Sequence, residues 1–263
     1  TRKKTISMDR WWSLDSVITS ATQQVITDET EAIDMLESAL VNSIKLQSIA
    51  DVPLGAFLSG GVDSSCIVAL MQAHSSESIK TFTIGFEEEG FNEAEFAKDV
   101  ATHLGTQHVE LYVSSTNALD IIPSLPKLYD EPFADSSQIP THLVCRQARS
   151  EMKVALSGDA GDELFGGYGY YNRLLHLQKI SRWTPIALRK FISRASTSML
   201  PIGFQGRYLL QSMGMELKEE LPLIGSFFTQ EDRIKLLGER MMHVDTSVAE
   251  DVTEVLDLVR RAT

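Results

Sequence analysis

One stretch, residues 52–70, constrains this chain more than any other. Pro53-Leu54-Gly55-Ala56-Phe57-Leu58 is a short apolar run that reads as a buried strand over 53–58. Asp63 to Ala73 reads as a helix with an apolar period. Between them lie Ser59, Gly60, Gly61, Asp63, Ser64 and Ser65. Glycines let a backbone turn sharply and approach a ligand without a Cβ in the way. Hydroxyls and free N–H groups at a helix N-terminus favour an anion. The stretch is suited to holding phosphate at the end of a strand. Its bland alternative is an ordinary strand–turn–helix junction of small residues.

It is not the kinase-type phosphate loop, which needs Gly-x-x-x-x-Gly-Lys-Ser/Thr. Gly55 and Gly60 have the spacing, but Gly61 stands where the Lys would be. A carboxylate, Asp63, follows instead. A carboxylate beside phosphates calls for a divalent cation between them, and Mg²⁺ takes a few carboxylates plus phosphate oxygens. Ser-Gly-Gly-x-Asp-Ser resembles the loop of the ATP pyrophosphatases, which split ATP between the α- and β-phosphates.

The rest of the first 160 residues alternates strands and helices. Thr30 begins a helix running to about Ile49. Ile79–Phe86, Gln107–Val113 and Lys153–Ser157 read as strands. Glu87-Glu88-Glu89-Gly90 reads as an acidic turn, Asn92 as the cap of a helix ending at Gly105, and 139–151 as a helix. Residues 116–129 are helical with breaks at Pro123 and Pro126. Such alternation implies right-handed crossovers and a parallel sheet. The fold class expected is therefore α/β, a parallel sheet with flanking helices, followed by a mostly helical C-terminal part. Ligands of such sheets sit beyond the C-terminal strand ends. Ser59, Ile84-Gly85 and Ser157-Gly158 all fall there.

After Tyr171 the strand signal ends. Residues 173–195, 205–220 and 229–241 read as helices, the first of them basic; a solvated face accounts for its charge. Residues 1–29 are polar and irregular, with Trp11-Trp12 as an apolar knot that docks on a surface. The absence of an initiator Met leads us to expect a piece of a longer protein. The net charge of −12 argues against a protein that grips nucleic acid. No apolar run approaches the ~20 residues of a membrane span. Cys66 and Cys145 have no metal or redox spacing and read as buried thiols in a reducing cytoplasm.

A second constellation repeats the logic of the first. In Ser157-Gly158-Asp159-Ala160-Gly161-Asp162-Glu163-Leu164-Phe165-Gly166-Gly167-Tyr168 a strand ends, small residues turn, and acids open a helix. Acids in a first turn serve as caps on many helices. Here Asp162 would share a Mg²⁺ with Asp63 from another strand. Together the two loops are similar to those of the synthetase domain of glutamine-dependent asparagine synthetases. Lys80–Phe86, Gly105–Glu110 and the substrate-side loop 129–137 agree, so the likeness runs from about Trp12 to Tyr171.

That resemblance implies an ATP site with adenine against the backbone of Leu58, Ile84 and Gly158, and with Gly85 beside it. Ser59, Gly60, Gly61, Asp63, Ser64, Ser65 and Ser157 complete it, and Asp63 and Asp162 hold Mg²⁺. It implies that aspartate is adenylated on its side-chain carboxylate and that ammonia then displaces AMP to give asparagine. Asp159 would face the amine side of the substrate. It implies a linker over 1–29, an ATP-pyrophosphatase core over 30–172 and a helical part over 173–263. The implied partners are small molecules and a glutaminase domain on the N-terminal side that supplies ammonia from glutamine. Neither nucleic acid nor membrane is implied, and a homodimer is left open. The family's cysteine nucleophile and its C-terminal lysine segment have no counterpart here. The 263 residues alone are therefore expected not to make asparagine from glutamine. Two alternatives stand: a related ligase on another carboxylate, such as a β-lactam synthetase or a glycan amidotransferase, and a non-catalytic nucleotide-binding domain.

Overall fold

The computed structural model describes residues 10–86, 92–129, 135–181, 183–201, 204 and 206–214. They fall into two compact units, residues 28–167 and the described parts of 1–27 with 168–263.

The first unit is the α/β part. Strands β1 (Leu54–Phe57), β2 (Lys80–Phe86), β3 (Gln107–Val113) and β4 (Val154–Leu156) form one sheet in the order β3-β2-β1-β4. Every pairing is parallel, with Phe57 level with Phe82 and Ala56 level with Leu156. The crossovers are α3 (Val62–Ala73) after β1 and α4 (Ala94–Leu104) after β2. After β3 come the short helices α5 (Ser115–Leu119) and α6 (Leu125–Leu128), then α7 (Gln138–Ala148). Helix α2 (Glu29–Gln47) precedes β1. The parallel sheet with flanking helices is the architecture expected from the alternation.

Each sheet face buries its own apolar set, as two-sided burial of a parallel sheet requires. On one face Ala56 and Leu58 meet Ile44 of α2, Val68 and Met71 of α3, and Ala97 and Ala101 of α4. On the other, Phe82 packs with Ala148 and Met152, and Val113 with Ile121 and Leu143. Gly105 ends α4 at φ 72°, the left-handed conformation that glycine adopts without a Cβ penalty.

Several local readings need correction. Asp28, not Thr30, caps α2, its carboxylate accepting from the Glu31 N–H at 2.9 Å. The cap position of α4 is Glu93, although the Asn92 side chain does accept from Ala94 N at 3.2 Å. Both cysteines are exposed. On α3 the buried positions are Ser64, Val68 and Met71, and Cys66 lies off that stripe. On α7 the buried positions are Leu143 and Ala148, again leaving Cys145 outside. Partial burial still pushes the Cys145 thiol above its ordinary value.

The described residues of the second unit form helices. Residues 14–22, expected to be irregular, form α1 (Leu14–Thr22), capped by the Ser13 hydroxyl. Trp11 is 94% exposed among the described residues. The single helix expected over 173–195 is two, here numbered α9 (Gly169–Ser181) and α10 (Ile186–Met199). Pro185 sits at the break, where the residue before a proline is driven out of the helical region. Of the helix expected over 205–220, Arg207–Ser212 is observed. The acidic turn 87–90, residues 130–134 of the substrate-side loop and the helix expected at 229–241 lie outside the described residues. No helix among the described residues is long and apolar enough to cross a membrane.

Candidate functional site

The site grows from the C-terminal ends of β1, β2 and β4. Leu58, 1% exposed, continues β1 by donating its N–H to Phe82 O at 2.9 Å. The chain then turns through Gly60 at φ 81°, a conformation that only glycine takes at no steric cost. Gly60 lies so close to α4 that a Cβ would stand 2.7 Å from Ala97 N and from Phe96 Cβ. The loop is thus braced by the first turn of α4.

Inside the loop the serines hold one another. Ser59 Oγ and Ser64 Oγ are 2.9 Å apart, Ser59 N donates to Ser64 Oγ at 3.2 Å, and Gly61 N donates to Ser59 Oγ at 3.3 Å. Ser64 is buried, whereas Ser59 and Gly61 are exposed. Helix α3 starts from Gly61 with no side-chain cap. Its first-turn N–H groups therefore lack the usual side-chain acceptor, the condition that favours an anion there. Ser65 Oγ is buried and has no hydrogen-bond partner among the described residues.

The second loop leaves β4 and meets the first. A Cβ on Gly158 would lie 2.6 Å from Ser64 N and 2.8 Å from the Asp63 carbonyl carbon. Only glycine permits this approach. Ala160 then adopts φ 71°, the one non-glycine residue with positive φ among those described. It leads into the short helix α8 (Gly161–Phe165). The Asp63 carboxylate lies beside Gly161, and the Asp162 carboxylate beside Gly167. Among the described residues neither carboxylate takes a hydrogen bond or an ion pair, so their lone pairs are unclaimed. Asp159 is different: it is exposed and accepts from Ser157 Oγ at 2.8 Å.

The third segment is the end of β2. Continuing the β1–β2 register puts Ile84 level with Ser59. The Ile84 side chain packs into the Val113–Ile121–Leu143 cluster, which leaves its backbone at the sheet edge. Gly85 is buried between the Tyr112 ring and the Asn92 amide, 2.8 and 2.9 Å from where a Cβ would be. Tyr112 OH donates to Glu110 Oε2 at 2.9 Å, and Lys98 Nζ stands 3.1 Å from Glu110 Oε1. Desolvation, the largest single influence on Glu110, raises its pKa. The bonds from Lys98 and Tyr112 together outweigh it, and the carboxyl titrates below its usual 4.5.

The structure thus joins the two predicted loops in one place and sets Ile84-Gly85 on the same edge. Among the described residues no group of three His, Cys, Asp or Glu side chains is close enough to hold a metal by itself. The donor chemistry still fits Mg²⁺, which takes one or two carboxylates and completes its shell with water and substrate phosphates. Two features were not read from sequence: the left-handed Ala160 and the seating of each carboxylate against a glycine. The only sequence signal for either is the glycine density of the second loop.

Comparison with known proteins agrees on one family. Residues 35–254 match the family model for asparagine synthase. The chain is 36% identical over 187 residues to the glutamine-hydrolysing asparagine synthetase 1 of Bacillus subtilis, covering 71% of this chain and 29% of that protein. It is 39% identical over 200 residues to a putative glutamine-hydrolysing asparagine synthetase of Mycobacterium tuberculosis, covering 76% of this chain and 30% of that one. An NH3-dependent NAD synthetase from Campylobacter jejuni overlaps 90% of this chain and 94% of its own, at 12% identity and a TM-score of 0.37, too loose a fit to bear on function. The chain spans less than a third of the length of these two curated relatives.

Proposed function

Because the chain belongs to the asparagine synthase family, we propose that it carries the ATP-dependent, amide-forming step of an asparagine synthetase. An oxygen of the aspartate side-chain carboxylate attacks the α-phosphorus of ATP. The bond to the β-phosphate breaks, and pyrophosphate leaves. Ammonia then attacks the acyl carbon, AMP departs with the bridging oxygen, and asparagine remains. A carboxylate is ionised at neutral pH, so the first step needs in-line placement and charge neutralisation rather than a base.

The single observation that carries this reading is the contact of the two loops, Gly158 against the Asp63–Ser64 backbone. It makes a phosphate loop and an acidic loop into one site. In that site Ser59, Gly60, Gly61, Ser64 and Ser65 belong to the pyrophosphate side. The backbone of Leu58, Ile84, Gly85, Ser157 and Gly158 belongs to the adenosine side. Asp63 and Asp162, with unclaimed lone pairs, would hold Mg²⁺. When bound, Mg²⁺ supplies positive charge against the leaving pyrophosphate. The bond from Ser157 orients Asp159, which we assign to the substrate side. The core of 30–172, the helical part of 173–263, a partner glutaminase domain that delivers ammonia, and a cytoplasmic setting belong to the same proposal.

The test is ATP–pyrophosphate exchange with a panel of carboxylic acids. Stimulation by aspartate is expected. Stimulation by another acid alone would move the chain to a related ligase, and none by any acid would favour a non-catalytic nucleotide-binding domain.

A further inference from the structure

Gly161 and Gly167 stand beside the two carboxylates assigned to the cation, and neither glycine has a positive φ. Their backbones therefore do not require glycine. Space does. A Cβ on Gly161 would lie 2.5 Å from Asp63 Oδ2 and 2.9 Å from Oδ1, with Cγ nearer still. A Cβ on Gly167 would overlap Asp162 Oδ1 and stand 3.0 Å from Asp162 Cγ. Real Cβ contacts do not occur at such separations, so an alanine at either place must push the carboxylate out of its position.

We propose that Gly161 and Gly167 are positioning residues, each a seat whose missing side chain fixes where the Asp63 or Asp162 carboxylate stands. The inference rests on the metal reading of those two acids and adds what places them. The logic is that of groups which orient metal ligands from behind, whose loss typically costs about 10–100-fold in metal affinity. Here the orienting device is a gap rather than a hydrogen bond. Gly158 serves differently, because a Cβ there would strike the Ser64 backbone instead of a carboxylate.

Two measurements test this, with ATP and Mg²⁺ as the probes. The first is ATP affinity with and without Mg²⁺, by calorimetry. Gly161→Ala and Gly167→Ala should each lower the Mg²⁺-dependent gain about tenfold or more, while metal-free ATP binds as in the parent. Asp63→Asn should abolish much of that gain by itself. If Asp63→Asn leaves the gain intact, the metal reading fails. If Asp63→Asn removes it but both alanine variants keep it, the seats fail and the metal reading survives. The second is a thermal cycle in EDTA. The Asp63 carboxylate is the free end of a side chain and can swing aside, so Gly161→Ala should lower Tm by only about 1–2 °C. In an Asp63→Ala background the same change should cost almost nothing. If Gly161→Ala alone does not fold, recovery of folding in the double variant supports the seat. Equal losses in both backgrounds, or a double variant that also fails to fold, would overturn it.

Discussion

Ala160 holds φ 71° between Asp159 and Gly161, at the join of the acidic loop and α8. A left-handed conformation costs a non-glycine residue about 1–2 kcal/mol, because its Cβ crowds the neighbouring carbonyl. The strain is held by the closeness of this loop to the loop after β1. Ala160→Gly removes the crowding but loosens the unfolded chain, so neutral or slightly higher stability is expected. Ala160→Val, branched at Cβ, should destabilise by about 1–2 kcal/mol. Denaturant melts of the two variants check this, and a Val variant as stable as the parent would contradict the assigned conformation. At this scale the sequence was informative about chemistry and poor about placement. The serines, glycines and acids of both loops were legible because their order around a strand end is itself the signal. The exposure of Cys66 and Cys145 was not, because an apolar helical run does not say which of its faces meets the sheet. The left-handed backbone at Ala160 was not legible either, since an alanine carries no mark of it.

At the scale of elements, β3 contributes a half-buried imidazole, His108, that the site does not use. Thr81 Oγ1, itself fully buried, lies 2.9 Å from His108 Nδ1 and 2.9 Å from Thr106 Oγ1. The other ring nitrogen, Nε2, is buried with no hydrogen-bond partner among the described residues. Burial holds the His108 imidazole below its usual 6.5, the charge of Glu110 opposes this, and Lys98 adds to it. The sign follows from linkage. The folded pKa lies below the unfolded one, so the unfolded chain binds more protons as pH falls. The contribution of neutral His108 is complete above 6.5 and is lost as pH falls from there through the lower folded pKa. Melting temperatures taken from about pH 7.5 to about pH 5 should fall less steeply in His108→Gln than in the parent. Identical slopes would show that His108 is not the group responsible. The four strands and most helices were legible because β-branched runs and apolar periods differ in spacing. The split between α9 and α10 was available in Pro185, where the chain leaves the helical region. Helix α1 was announced by the Ser13 cap and by Leu14, Val17, Ile18 and Ala21 at helical spacing, a stripe too short to stand out among the polar residues around it.

At the scale of the molecule, two loops far apart in sequence, at 59–65 and 157–167, act as one surface because β1 and β4 are neighbours in a parallel sheet. That adjacency is what turns a run of small residues and a run of acids into a candidate adenylating centre. The two loops themselves were legible from motif order. The mutual fit was not, because it depends on Gly158 lying against Ser64, a tertiary contact. The central claim is that the aspartate side-chain carboxylate itself attacks the α-phosphate. Aspartate labelled with ¹⁸O in that carboxylate, given to the protein with ATP, Mg²⁺ and ammonium, tests it directly by mass spectrometry of the nucleotide. AMP carrying one labelled oxygen, unlabelled pyrophosphate, and asparagine in equal amount are expected. Unlabelled AMP alongside asparagine, or ADP as the nucleotide product, would contradict it.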